Sequence, residues 1–192
     1  MSSAQQVSRY DSVAIALHWT IAALLIANIA LGLYFGDLPR SDPSKFLLAQ
    51  THKSIGLTVL VLTLARIGWR LTHRVPGLPP DMPALLKLAA RSAHALLYVV
   101  MLGLPLTGWA MVSSSPLGLP TKYFGLFDWP NLGYFANQPV EQKRAFIGAF
   151  HESHEILANI AIALIILHVG AALYHQFVRR DGVAMRMLGR SS

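Results

Sequence analysis

The sequence contains no cysteine, and only 13% of its 192 residues are charged. The absence of cysteine excludes disulfides, thiolate metal sites, iron–sulfur clusters and covalently attached c-type haem. Any redox cofactor must therefore be held by other side chains. The scarcity of charge, with a hydrophobic content of 54%, lies outside the range of soluble proteins. The net charge of +7 is not arranged as a basic stripe with interleaved aromatics, so no nucleic-acid partner is predicted.

Four apolar stretches have about the length that a helix needs to cross a hydrocarbon layer roughly 30 Å thick. Their approximate limits are 13–35, 55–71, 92–112 and 156–178. Only the second contains charged residues, among them Arg66 near its end, where the side chain can reach the lipid headgroups. The first is too long for a cleaved signal peptide and is kept as a permanent span. The sequence therefore predicts one all-α domain over residues 1–192, an integral-membrane four-helix bundle.

With four spans, both termini lie on one side of the membrane, here called cis, together with the connection 72–91. The connections 36–54 and 113–155 lie on the opposite, trans, side. Lys and Arg in short loops favour the cytoplasm, so an excess of these residues on the cis side predicts cytoplasmic termini. The ten cis residues are Arg9, Arg66, Arg70, Arg74, Lys87, Arg91, Arg179, Arg180, Arg186 and Arg190, and the six trans residues are Arg40, Lys45, Lys53, Lys122, Lys143 and Arg144. The long, aromatic-rich connection 113–155 is predicted to lie on the membrane surface as an interfacial cap.

Eight histidines are present, and an imidazole inside a membrane span is costly enough that it normally has a partner. His18, near the start of the first span, and His168, in the second half of the fourth, both fall in the cis half of the membrane. His52 and His154, at the starts of the second and fourth spans, both fall on the trans side. The fourteen residues from His154 to His168 correspond to about 21 Å along a helix and only about 40° around it. Depth therefore predicts two pairs, His18 with His168 and His52 with His154.

A b-type haem takes axial ligands on both faces, and imidazoles from facing helices of a bundle supply them. Two pairs predict two haems, each with one ligand from the fourth span. A single histidine in a span is more often a hydrogen-bonded packing residue, so the prediction depends on four histidines at matched depths. By depth alone His94, near the cis end of the third span, competes with His18 and His168 and stays an open alternative. The weaker candidates are His73, a predicted loop residue, and His151 and His175, which are predicted to be interfacial. His175 is also a candidate proton group or propionate partner.

Small residues along the spans leave room for a flat group, although they also let bare helices pack closely. They are Ala22, Ala23, Gly56, Ala95, Gly103, Gly108, Ala158 and Ala163. Cationic side chains near the membrane surfaces are candidate partners for haem propionates, or else ordinary topology-setting charges. The cis group is Arg66, Arg70 and Arg91, and the trans group is Lys53, Lys122 and Arg144.

Several segments carry a more specific pattern. They are Ile-Ala-Leu-His-Trp at residues 15–19, the stretch 52–56, Arg66 with Arg70, Arg-Ser-Ala-His at 91–94 before Leu-Tyr at 97–98, and His-Glu at 154–155 before Leu-Ala-Asn at 157–159 and Leu-His at 167–168. Over nearly the whole chain these segments resemble the bacterial cytochrome b561 family of four-helix dihaem membrane cytochromes. The resemblance implies the same pairs, His18 with His168 and His52 with His154, and implies that His94 is not an axial ligand.

The resemblance also implies single-electron transfer between a periplasmic donor and the ubiquinone pool, in a bacterial inner membrane, with superoxide as one candidate donor. The leading hypothesis is thus an electron-transfer protein, with oxidoreductase activity of the superoxide:ubiquinone type. Basic groups at the trans mouth are then expected to attract the superoxide anion electrostatically. They are Lys53, Lys122, Lys143 and Arg144.

Two alternatives stay open. One is a cytochrome b subunit that anchors a hydrogenase or formate dehydrogenase and relays its electrons, although the compact loops offer little docking surface beyond 113–150. The other is a small transporter or metal-binding membrane protein that uses histidines as transition-metal ligands. It lacks the intramembrane carboxylates expected of an ion pathway, because Glu152 and Glu155 lie only at the trans edge.

Overall fold

The computed structural model describes residues 9–189, and four long helices account for most of them. The long helices are α1 (Ser12–Asp37), α2 (Lys45–Thr72), α3 (Ala84–Ser113) and α5 (Val140–Tyr174). A short helix, α4 (Gly133–Ala136), precedes α5. The last long helix continues as a π-helical turn (His175–Arg179), and a 3-10 turn (Met185–Leu188) follows it. Each of the four is long and apolar enough to cross a membrane. The predicted all-α, four-helix membrane bundle is confirmed. Arg190, which was counted among the cis charges, lies outside the described residues.

Two helices extend well beyond their apolar runs on the trans side. α2 begins at Lys45 and α5 at Val140, several turns before the predicted spans at 55 and 156. These turns carry polar and charged side chains, so a search for apolar runs does not reveal them. The connection 113–155, which was predicted to be a surface cap throughout, is therefore outside the long helices only over residues 114–139.

That remaining connection folds as a β-hairpin that is fixed to α2. β1 (Thr121–Tyr123) pairs antiparallel with β2 (Phe127–Trp129). The fully buried Ser54 hydroxyl lies 3.2 Å from the carbonyl oxygen of Lys122 and accepts the N–H of Phe124 at 3.0 Å. One turn to either side, Gln50 accepts the N–H of Lys122 at 3.3 Å and Thr58 bonds the hydroxyl of Tyr123 at 2.9 Å. A polar face of α2 thus holds the aromatic hairpin over the trans end of the bundle.

The C-terminal turn lies across the opposite, cis, end. The indole N–H of Trp19 donates to the carbonyl oxygen of Met187 at 2.9 Å, and the guanidinium of Arg9 donates to that of Gly189 at 3.2 Å. Both ends of the described chain therefore meet on one side of the bundle, as an even number of spans requires.

One cluster of buried apolar side chains, here called the core layer, joins α1, α2, α3 and α5. It consists of Ile21, Leu25, Val59, Val100, Leu104 and Ala161. α1 packs against α2, α2 against α3 and α3 against α5, whereas α5 packs much less closely on α1 and α2 within residues 9–189. Many large apolar side chains elsewhere face outward, as lipid-facing residues do.

Candidate functional site

The trans pair lies between α2 and α5. His52 on α2 and His154 on α5 are half-buried, and their ring centres are 6.2 Å apart. Two imidazoles that share one metal through nitrogens at about 2 Å each have ring centres about 6 Å apart. The separation therefore suits two axial ligands of one iron.

The ring of His52 is held by α1. Its Nδ1 lies 3.1 Å from the carbonyl oxygen of Asn28. Because a carbonyl oxygen only accepts, Nδ1 carries the proton and Nε2 keeps the lone pair that a metal needs. A Cβ at Gly32, one turn further along α1, would lie 2.9 Å from Cε1 of His52. Only glycine at this position lets the ring approach the helix so closely.

The ring of His154 is held in a similar way by α3. Its Nδ1 lies 3.0 Å from the hydroxyl oxygen of Thr107, and a Cβ at Gly108 would lie 3.3 Å from its Cε1. Nδ1 of each ring in the trans pair thus has a hydrogen-bond partner, and a glycine makes room for each ring. Gly108, for which space for a flat group and close helix packing both stayed open, lies against the ring of His154.

The cis pair has the same separation but fewer contacts. The ring centres of His18 on α1 and His168 on α5 are 6.2 Å apart. Trp19 lies edge-on to His18 with ring centres 5.1 Å apart. Among the described residues, neither ring has a hydrogen bond to its nitrogens. The geometry again suits two ligands of one iron, with less support from the protein.

His94 on α3 lies at the same level as the cis pair. Its ring centre is 5.3 Å from that of His168, and its Nδ1 lies 2.7 Å from the carbonyl oxygen of Ala90. This separation is shorter than the 6.2 Å of the two predicted pairs, and the ring is exposed where the other four are half-buried. His94 is therefore a neighbour of the cis site, and its geometry fits a shared iron less well than that of His18.

The donor set favours haem over a bare metal ion. Within residues 9–189, no group of three or more His, Cys, Asp or Glu side chains is arranged to hold a metal ion. Two imidazoles on opposite faces are what a haem iron requires, since the porphyrin supplies its other ligands. Two such pairs, each with ring centres 6.2 Å apart, are present, so these residues fit the group.

The remaining histidines make other contacts. His73 stacks on Trp69 with ring centres 3.8 Å apart, and His151 lies 3.7 Å from Glu155 on the exposed face of α5. His175, predicted to be interfacial and a candidate proton group or propionate partner, is paired with Asp181 at 2.7 Å.

The predicted cationic groups differ in how they are engaged. Arg66 donates to the carbonyl oxygen of Ala14 at 2.7 Å, one turn before His18, so its guanidinium lies beside the cis pair. Lys122 forms an exposed ion pair with Asp128 at 2.6 Å. Arg66 is thus well placed for a propionate, whereas the charge of Lys122 is already compensated. Among the others, Arg70, Arg91 and Arg144 are exposed, and Lys53 and Lys143 are half-buried.

Sequence reasoning missed three residues at the trans site, Asn28, Gly32 and Thr107. Each acts on a histidine of a different helix, and the sequence alone does not show which faces of two helices meet. Gly32 is seven residues from Leu25 of the core layer, which is a weak periodic signal for an inward face.

Comparison with known proteins identifies the family of this chain. The family model for prokaryotic cytochrome b561 matches residues 9–190. Cytochrome b561 homolog 2 of Escherichia coli (strain K12) is 31% identical over 192 residues, which cover 100% of this chain and 97% of the relative. Cytochrome b561 homolog 1 of the same organism is 30% identical, covering 96% of this chain and 99% of the relative. A probable superoxide oxidase, CybB, of Yersinia pestis is 26% identical, covering 94% and 96%. The resemblance seen in the sequence is confirmed, and the chain belongs to the prokaryotic cytochrome b561 family of b-type haem electron-transfer proteins, as a multi-pass protein of the bacterial inner membrane.

Proposed function

We propose that this protein holds two b-type haems and passes single electrons across the membrane from a periplasmic donor to the quinone pool. The observation that carries the proposal is the equal ring separation, 6.2 Å, of two histidine pairs at two depths. His52 and His154 would hold the trans haem, and His18 and His168 the cis haem. When bound, each haem iron supplies one-electron chemistry by alternating between its ferric and ferrous states.

The two proposed sites lie at different depths in the membrane. His154 and His168 lie on one helix, α5, and their spacing of fourteen residues corresponds to about 21 Å along its axis. The core layer, with Ala161 midway between the two histidines, lies between the two levels. The charge bias of the connections supports a cytoplasmic cis side, and hence a periplasmic trans side.

Superoxide is the donor that we propose. One of the relatives is described as a probable superoxide oxidase. Lys53, Lys143 and Arg144 lie at the trans end of α2 and α5, where they would attract a small anion by long-range electrostatics. Two superoxide ions would each give up one electron to become dioxygen, and one quinone would take up both electrons with two protons to become a quinol. Ubiquinone is the proposed acceptor.

Rapid mixing of the purified, haem-loaded protein with superoxide tests this function. We expect the haems to be reduced faster than superoxide dismutates spontaneously, and to be reoxidised when ubiquinone is added. The reduction rate should fall as ionic strength rises, because screening weakens the attraction of the trans cations. Haems that stay oxidised in superoxide would exclude this donor. Co-purification of a large soluble enzyme that reduces them would favour the relay-subunit alternative instead.

A further inference from the structure

The hydroxyl group of Thr107 faces His154 from the neighbouring helix. Its oxygen lies 2.8 Å from the carbonyl oxygen of Gly103, 2.9 Å from that of Leu104 and 3.0 Å from Nδ1 of His154. The hydroxyl has one hydrogen, which the two carbonyl oxygens can only accept. The contact with the ring is therefore made by the lone pair of Thr107 and the N–H of His154. This fixes the tautomer of His154, with Nε2 left free on the side of the partner ring.

Such a hydrogen bond changes the ring as a ligand. An imidazole that donates its second N–H to an acceptor becomes more basic and binds a metal more strongly. A more basic axial ligand stabilises ferric over ferrous iron, and hydrogen bonding around the ligands is one of the ways a protein sets a haem potential.

The two sites differ in this respect. Both rings of the trans pair have an acceptor for Nδ1, the hydroxyl of Thr107 and the carbonyl of Asn28. Within the described residues, neither ring of the cis pair has one, and the Arg66 guanidinium lies beside that pair. A nearby positive charge favours the less positive, ferrous state.

Building on the function proposed above, we propose that Thr107 is a positioning residue that lowers the reduction potential of the trans haem by accepting the hydrogen bond of His154. Among the groups that accept hydrogen bonds from these two rings, Thr107 is the one that a side-chain substitution removes. The effect favours movement of electrons from the trans haem to the cis haem.

A redox titration of the haem-loaded protein in detergent or nanodiscs tests the proposal. Thr107→Val keeps the shape of the side chain and removes the acceptor. We expect one of the two midpoint potentials to rise, by up to a tenfold change in the reduction equilibrium, which is about 59 mV for a one-electron couple. Thr107→Ser should keep the wild-type value. The same rise in a His18→Ala background, which retains only the trans haem, assigns the shift.

Thr63→Val is the matched control. Thr63 is fully buried, and its hydroxyl has no hydrogen-bond partner among the described residues. Its replacement should leave the trans potential unchanged.

Three results would overturn the role of Thr107. They are unchanged potentials in Thr107→Val with both haems bound, an equal shift in Thr63→Val, and loss of the trans haem from the valine and serine variants alike. Loss from the valine variant alone, with retention in the serine variant, would support the role, because only the hydroxyl group then distinguishes them. Wild-type protein that binds no haem would refute the proposed function, and this result is distinct from unmoved potentials in haem-loaded protein.

Discussion

The trans and cis histidine pairs have the same ring separation, 6.2 Å, but the protein holds them differently. At the trans site, hydrogen bonds from two helices fix both rings, and two glycines let those helices approach. At the cis site, neither ring nitrogen is bonded within residues 9–189, and a third histidine, His94, lies 5.3 Å from His168. The trans site is thus preorganised by its neighbours, whereas the cis ligands would be ordered mainly by the group that they bind.

The largest effect is expected from a methyl group at Gly32. In Gly32→Ala the new Cβ would lie 2.9 Å from Cε1 of His52, closer than real Cβ contacts, so the ring must move away from its partner. We expect the trans haem to bind at least about tenfold more weakly, comparable to the loss of a group that orients a ligand. Haem content per chain measures it.

Two further glycines calibrate that result. Gly36→Ala, one turn along the same helix, meets nothing within 4 Å and should keep both haems. Gly108→Ala places a Cβ 3.3 Å from His154 and should weaken the trans haem less than Gly32→Ala does. Equal haem contents in all three variants would show that the close approach of α1 to His52 is not needed.

The hairpin lies over the trans end of the bundle and the C-terminal turn over the cis end. A change at Ser54 is expected to affect only the first of these two segments. Ser54→Ala removes one of the three α2 side chains that bond the hairpin and leaves the part-buried N–H of Phe124 without its acceptor. We expect the attachment of the hairpin to α2 to lose about 1–3 kcal/mol of stability. Hydrogen exchange should rise in residues 121–129 and stay unchanged in the cis segment 183–189. Unchanged exchange in the hairpin would contradict the contact.

The C-terminal turn at the cis end is stabilised instead by Asp181. Burial alone would raise the pKa of this carboxyl group, but hydrogen bonds from His175, Val183 and Arg179 hold it below its ordinary value. Because the pKa is lowered on folding, the carboxylate stabilises the turn above pH of about 4, and this contribution is lost as the pH falls further. Asp181→Asn should remove this stabilisation at neutral pH. Tryptic cleavage at Arg186 should then be about fivefold faster, which is equivalent to about 1 kcal/mol.

Asp128→Asn provides the control for that experiment. Its ion pair with Lys122 is exposed, with side chains 51% and 57% accessible, and exposed pairs contribute little to stability. Cleavage at Arg186 should not change. If the Asp181→Asn variant were cleaved no faster than the Asp128→Asn variant, the pair of His175 and Asp181 would not stabilise the C-terminal turn.

The smallest effect is expected from His94→Ala. Its ring touches the cis site but is exposed, and its separation from His168 fits a shared iron less well than that of His18. We expect two haems per chain and a small change in the absorption of the cis haem. A variant with one haem would show that His94, rather than His18, completes the cis site.

The regularity of the helix made most of the fold and the histidine pairs predictable. Apolar runs located the four helices, and a fixed rise per residue placed His18 level with His168 and His52 level with His154. The trans extensions of α2 and α5 were not found, because polar turns outside the lipid carry no hydropathy signal. The polar face formed by Gln50, Ser54 and Thr58 at four-residue spacing was readable in the sequence, but its partner, the hairpin, was not.

The contacts that distinguish the two sites could not be predicted from the sequence, for another reason. Asn28 and Thr107 act on histidines of other helices through a backbone carbonyl and a single hydroxyl. Such contacts depend on how each helix is rotated about its axis, which packing sets and periodicity gives only approximately. The role of Gly108, for which space for a flat group and close helix packing were both open, could not be decided from the sequence for the same reason; in the structure it lies against the ring of His154.

The central claim is that the four histidines form two separate pairs, and haem content in double variants tests it most directly. His52→Ala with His154→Ala removes both ligands of one proposed site, so the double variant should keep one haem, as each single variant does. His52→Ala with His168→Ala removes one ligand from each site and should keep none. Equal haem contents in these two double variants would contradict the pairing.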